Sequence, residues 1–191
     1  MTTNGFHLAQ VNIARMLAAL DDPIMAGFVA RLDEINALAD GSPGFVWRFQ
    51  TPQGNATALR PYGDDRVLFN LSVWETQDHL RQYVYRSAHA QLIGQRKDWF
   101  SKFDDRYMAL WWVPAGHIPG VEEAKQRLDH LRQHGETVDA FSFKKSFFPT
   151  DVRRVRGMSD DFVPDNDLAN AKSGQNRGRN LQEAMRTQRG S

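Results

Sequence analysis

The chain has 191 residues, enough for one domain or one domain with an extension. Its 24 Lys and Arg against 23 Asp and Glu leave a net charge of +1, which argues against a strongly basic nucleic-acid binder and a polyacidic tail protein. Cysteine is absent, no run of about 18 uncharged apolar residues exists, and the first ten residues lack a secretory leader pattern, so disulfides, thiolate metal sites, a membrane span and export are not expected.

Residues 7–16 read as a strand, with Leu8, Gln10, Asn12 and Ala14 on one face and Ala9, Val11 and Ile13 on the other. Asp22 followed by Pro23 is a helix start. Ile24, Phe28, Leu32, Ile35 and Ala39 then recur at helical spacing, with Gly41 expected as a left-handed terminator. Residues 45–50 form a second strand, 51–55 a turn, and 56–60 a continuation of the pairing. Residues 67–74 are the clearest strand: Leu68, Asn70, Ser72 and Trp74 share one face, and Val67, Phe69, Leu71 and Val73 the other.

Thr76 can cap a second helix, whose apolar stripe is Leu80, Tyr83, Val84, Ala88 and Leu92, and Trp99, Phe100 and Phe103 suggest a further helical stretch. Residues 107–113 are a fourth strand. Pro119 starts a third helix with Val121, Ala124, Leu128 and Leu131 inward and Gly135 at its end. Phe141, Phe143 and Phe147 alternate in a late extended segment. Only one of 21 aromatic residues, Phe162, falls after residue 150, so 1–150 is expected to be the folded domain and 151–191 a polar, disordered tail.

The order strand, helix, strand, strand, helix, strand is that of an α+β, ferredoxin-like split arrangement with an extra C-terminal helix. Two helices cover one sheet face. The other face is expected to lie bare and to be covered by a second copy, in a homodimer.

Motifs for dinucleotide, P-loop, zincin and α/β-hydrolase chemistry are missing. His130 and His134 stand four apart on the third helix, a spacing that can hold a metal, but they lie on its polar side and read as surface; no metal site is expected. His117 follows the fourth strand in a loop, where a site residue or a backbone-bonded histidine is equally at home. His89 lies at the edge of the second helix's stripe and needs a hydrogen-bond partner or a ligand. Asn12 and Asn70 are amides in the middle of apolar strands, and each must be satisfied by backbone, by water or from inside a cleft.

The run Asn70-Leu-Ser-Val-Trp74-Glu75 followed by Leu80-Arg-Gln-Tyr83-Val-Tyr-Arg-Ser-Ala-His89 resembles the dimeric α/β-barrel proteins of the antibiotic-biosynthesis-monooxygenase type. Residues 6–145 as a whole resemble the family called domain of unknown function 3291. The segments that carry this are Gln10-Val-Asn-Ile-Ala14, Gly44-Phe-Val-Trp-Arg48, Asn70 to Glu75, Tyr83 to His89, and Leu110-Trp-Trp-Val-Pro-Ala-Gly-His117. The resemblance implies a dimeric α/β barrel and a cleft between sheet and helices. Because the superfamily hosts oxygenases, other enzymes and non-catalytic binders, it implies no single chemistry.

In cofactor-free oxygenases of this type the cleft holds an electron-rich aromatic substrate. By position, Asn12 and His89 are the implied catalytic pair, with Asn70, Trp74, Tyr83, Trp112 and His117 as substrate-binding residues. Asn12 would orient a carbonyl or peroxide, and His89 would act as general base. The expected function is a small-molecule-binding cytoplasmic protein, a cofactor-independent monooxygenase acting on an aromatic or polyketide-like substrate. One rival is a non-catalytic ligand-binding or stress protein. Another is a haem-binding or haem-degrading monooxygenase using His89. The haem-degrading members carry a tryptophan where this chain has Tyr83, a departure that weighs against haem turnover.

Overall fold

A computed structural model describes residues 5–51, 56–57, 61–86 and 95–157. The central strand is β1 (Phe6–Met16), whose Ala9, Val11 and Ile13 are buried on one face, while Phe6, Leu8 and Gln10 are buried on the other. It pairs antiparallel with β3 (Val67–Trp74) on one edge. On the other edge it pairs with β5 (Met108–Pro114) and, near its C-terminal end, with the two-residue β4 (Phe100–Ser101). The short strand β2 (Phe45–Arg48) borders β3, with an irregularity in register between Phe45 and Trp47. This is the ferredoxin-like strand order, reached by the sequence strand, helix, strand, strand, helix, strand.

The first crossover begins as the sequence indicates. Asp22 Oδ1 accepts from the Ile24 N–H at 2.9 Å, and Pro23 opens a 3₁₀ turn (Pro23–Met25). The single helix expected here is divided into α1 (Ala26–Val29) and α2 (Leu32–Asp40). Gly27 lies where the Trp99 indole packs, and a Cβ there would stand 3.2 Å from the ring. Gly41 ends α2 with φ −88°, in the right-handed region rather than the left-handed one expected of it. The left-handed residue is Gly44, at φ +72°. It turns the chain into β2 while its carbonyl accepts from the Glu75 N–H at 2.8 Å.

Thr76 caps α3 (Gln77–Arg86) through its Oγ1, which accepts from the His79 N–H at 3.1 Å. Residues 96–101 depart from the helix expected of them: a 3₁₀ turn (Arg96–Asp98) leads into β4. The cause is tertiary, because Phe100 and Ser101 find open ladder positions opposite Met16 and Arg15.

The second face of the sheet, expected to lie bare, is covered. Helix α4 (Val121–His134) lies across it, within the same chain. Ala124, Leu128 and Leu131 have no exposed surface and pack with Ala9, Val11, Phe69, Leu71, Val73, Ala109 and Trp111. Burial of each large apolar side chain stabilises by about 1.5–3 kcal/mol. The face expected to lie bare therefore needs no second copy, and a sheet-against-sheet homodimer loses the reason the sequence offered for it.

The boundary at residue 151 also moves. Helix α5 (Pro149–Arg156) is capped when Asp151 Oδ2 accepts from the Phe148 N–H at 2.8 Å, and it ends at Gly157 with φ +66°. Its Val152 is buried against Phe6, Leu8 and Trp112, and the Arg153 guanidinium lies 5.6 Å from the Phe6 ring centroid. The first residues of the expected tail are thus packed helix. The remainder, from 158, lies outside the described residues.

Candidate functional site

The pleat decides which side chains meet. In the β1–β3 pair, Asn12 stands opposite Asn70, Gln10 opposite Ser72, and Leu8 opposite Trp74. All six therefore project to the face under α1, α2 and α3. Between that face and those helices lies a cavity of about 380 Å³, within the size range of small-molecule sites. Asn12, Asn70, Trp74 and Tyr83 line it, together with Gln10 and Ser72. Phe28, Leu32, Ile35, Leu80 and Val84 form the apolar roof, while Trp99, Phe100 and Met108 close one end.

One wall is aromatic. Tyr83 stacks on Trp74 with centroids 5.0 Å apart and planes 27° from parallel, and Phe45 meets Trp74 edge-on at 5.4 Å. Burial pushes the Tyr83 hydroxyl well above its ordinary value, with Asp40 adding to the rise and Arg48 opposing it. Tyr83 is therefore a neutral phenol at physiological pH.

The floor is polar and connected. Trp74 Nε1 donates to Ser72 Oγ at 3.0 Å, Ser72 Oγ donates to Gln10 Oε1 at 2.9 Å, and Gln10 Nε2 donates to Asn12 Oδ1 at 2.7 Å. Gln10 is 9% exposed, so this chain also satisfies a buried amide. Asn70, opposite Asn12, is exposed to the cavity.

Two arginines stand on the walls. Arg48 is held by Asp40 through two hydrogen bonds of 2.7 and 3.1 Å. Arg96 lies over the Tyr107 ring at 5.2 Å and has no carboxylate partner among the described residues. Among the described lining residues none is a histidine or a carboxylate.

The other expected site residues lie elsewhere. Trp112 is on the cavity's side of the sheet but is buried beyond it, its Nε1 donating to the Phe147 carbonyl at 2.8 Å. His117 faces the α4 side, where its Nε2 meets Glu123 Oε2 at 2.8 Å, and Glu123 Oε1 also accepts from Trp111 Nε1 at 2.9 Å. His89, the expected base and the haem ligand of the rival reading, lies outside the described residues. His130 is half-buried and bonded to Thr137 Oγ1 at 2.9 Å. No group of three or more His, Asp or Glu among the described residues is placed to hold a metal ion, and no described helix is long and apolar enough to cross a membrane.

Gln10, Ser72, Arg48 and Arg96 line the cavity beyond the residues expected from the sequence. The first two were signalled by the two-residue alternation that puts Gln10 on the Asn12 face of β1 and Ser72 on the Asn70 face of β3. The arginines carried no comparable signal.

A family model described as Domain of unknown function (DUF3291) matches residues 7–157. No curated protein matches the sequence. Among solved structures, SnoaB, a cofactor-independent oxygenase from Streptomyces nogalater, is 16% identical with a TM-score of 0.39, over 60% of this chain and 96% of that one. A protein of unknown function from Nitrosomonas europaea is 11% identical with a TM-score of 0.38, over 61% and 98%. A Pseudomonas aeruginosa protein is 8% identical with a TM-score of 0.39, over 61% and 98%.

Proposed function

This chain belongs to the Domain of unknown function (DUF3291) family, and we propose that it binds a small aromatic, carbonyl-bearing molecule in the cleft beneath α1, α2 and α3 and oxygenates it without a cofactor. The observation that carries the reading is the cavity itself: apolar walls with one stacked aromatic pair, over a floor of hydrogen-bonded amides. A planar substrate lies along the Trp74–Tyr83 wall while its oxygen meets Asn12.

The chemistry then belongs to the substrate. A CH₂ group between aromatic rings, acidified by a conjugated carbonyl, gives up a proton, and the resulting enolate supplies electrons to O₂. The net change is R₂CH₂ + O₂ → R₂C=O + H₂O, with all four electrons drawn from the substrate. Asn12 holds the enolate oxygen, where its N–H groups stabilise developing charge. The neutral Tyr83 and the apolar roof exclude water. His89 is the proposed base, its ordinary pKa near 6.5 suiting proton abstraction at neutral pH.

Anthrone is a direct probe, since its oxidation product is anthraquinone. In an oxygen electrode with chelator present, the protein should consume one O₂ per anthraquinone, well above the rate without protein. Quenching of tryptophan fluorescence by anthrone without oxygen uptake would instead identify a non-catalytic binder. A Soret shift on adding haemin would support the haem reading.

A further inference from the structure

The hydrogen-bond chain on the cleft floor has a direction. A tryptophan indole is a donor only, so Ser72 Oγ must accept from Trp74 Nε1. The single Ser72 hydroxyl hydrogen then goes to Gln10, because the reverse arrangement would leave it without an acceptor among the described residues. Gln10 must therefore turn its Oε1 to Ser72 and its Nε2 to Asn12. Asn12 must in turn present Oδ1 to Gln10. Both N–H groups of Asn12 are left with no partner among the described residues, on a side chain that lines the cavity.

We propose that Trp74, Ser72 and Gln10 form a one-way hydrogen-bond chain that locks the Asn12 amide with its NH₂ toward the cavity, so that the cleft selects aromatic ligands offering a carbonyl or phenolate oxygen there. Gln10 and Ser72 are positioning residues: they act through Asn12. The proposal rests on the cleft being a ligand site, as argued above, and adds what decides its polarity. An asparagine free to rotate would accept donors and acceptors alike. A locked one leaves an unpaired buried donor with any ligand that lacks an acceptor, and such mismatches are the strongest source of discrimination in binding sites.

The test compares three aromatic probes of similar shape: 1,4-naphthoquinone, with carbonyl acceptors only; 1-naphthol, with a hydroxyl donor; and naphthalene, with neither. The absence of cysteine removes thiol addition to the quinone. Binding is read by quenching of tryptophan fluorescence, with a melting curve for every variant. The native protein should bind 1,4-naphthoquinone at least about tenfold more tightly than naphthalene, which is about 1.4 kcal/mol.

Gln10→Glu gives the decisive result. A protonated glutamic acid can still donate to Asn12 Oδ1, whereas a carboxylate can only accept, so Asn12 must turn over and offer its oxygen to the cavity. Burial at this position raises a glutamic acid above its ordinary value near 4.3, so the variant should keep the quinone preference at pH 5 and lose it, in favour of 1-naphthol, by pH 8, where 1-naphthol is still a neutral phenol; the native protein should show no such reversal over that range. Ser72→Ala should lower the quinone preference severalfold, and Ser72→Thr, which keeps the hydroxyl, should retain it. Binding of all three probes with a preference unmoved in folded Gln10→Glu and Ser72→Ala would overturn the chain while leaving the cleft reading in place. Binding of none of the probes by the native protein would overturn the cleft reading, and the proposal with it.

Discussion

At the scale of single residues, the cleft separates side chains that hold the fold from side chains that face an occupant. Asn12 is half-buried; its NH₂ supports nothing else among the described residues, and the Gln10 Nε2 hydrogen that its Oδ1 accepts can be taken up by cavity water once the side chain is removed. Asn12→Ala should change stability by less than about 1 kcal/mol, while quinone binding drops about tenfold or more. His89→Ala should lower oxygen uptake by about 10²-fold or more, as for loss of a general base. His117→Ala, on the other face, should leave uptake unchanged. A large fall in melting temperature for Asn12→Ala, with binding intact in the folded fraction, would make that amide structural. His7 gives a pH signature. Burial lowers its pKa, Glu75 partly opposing, and Nδ1 is buried without a hydrogen-bond partner among the described atoms. The unfolded chain therefore takes up this proton first. The contribution of His7 is fully present above the ordinary value of about 6.5 and is lost as pH falls from there through the lower folded value. Melting temperature should decline over that interval, and less steeply in His7→Gln.

At the scale of elements, alternation and caps were easy to read, and chain breaks were not. The sequence places β3 at 67–74 and the structure has Val67–Trp74, because period-two alternation between Asp64 and Thr76 leaves no other register. The αL position was misplaced because both Gly41 and Gly44 follow the helix, and only the packing of the turn selects between them. At Gly44 the need for glycine is double: φ is +72°, and a Cβ would run into the His79 imidazole. Gly44→Ala should cost about 1–3 kcal/mol from backbone strain alone, measured by denaturant unfolding, and more with the clash. Adding His79→Ala should recover the clash and leave the strain. If His79→Ala recovers nothing, the side-chain contact is unimportant.

At the scale of the molecule, α4 changes what the sheet can do. The interface inferred from a bare apolar face is already filled by Ala124, Leu128 and Leu131 from the same chain. Sedimentation at micromolar concentration should therefore show no association through this face. Leu128→Ala should cost about 2–5 kcal/mol, as for a large core residue truncated to alanine. A stable dimer with α4 in place would have to use a surface other than this face. The cleft and α4 lie on opposite faces, so stability loss at Leu128 should leave the quinone preference of the folded fraction unchanged.

The sequence alone determined the order of elements along the chain, the caps at Asp22 and Thr76, the face of β1 that carries Asn12 with Gln10, and the face of β3 that carries Asn70 with Ser72 and Trp74. Each follows from local chemistry: side-chain alternation, a polar oxygen near a free N–H, or proline at a helix start. Only the tertiary structure decided that Trp112 and His117 stand away from the cavity, that residues 100–101 join the sheet, and that α5 continues past residue 150. These depend on which surface a segment finds when the chain closes, and no local pattern carries that information. The same holds for the cover over the second face. The amphipathic stripe of α4 announced that the helix would bury one side, but the surface it would choose was fixed only by the pairing of β1 with β3 and β5.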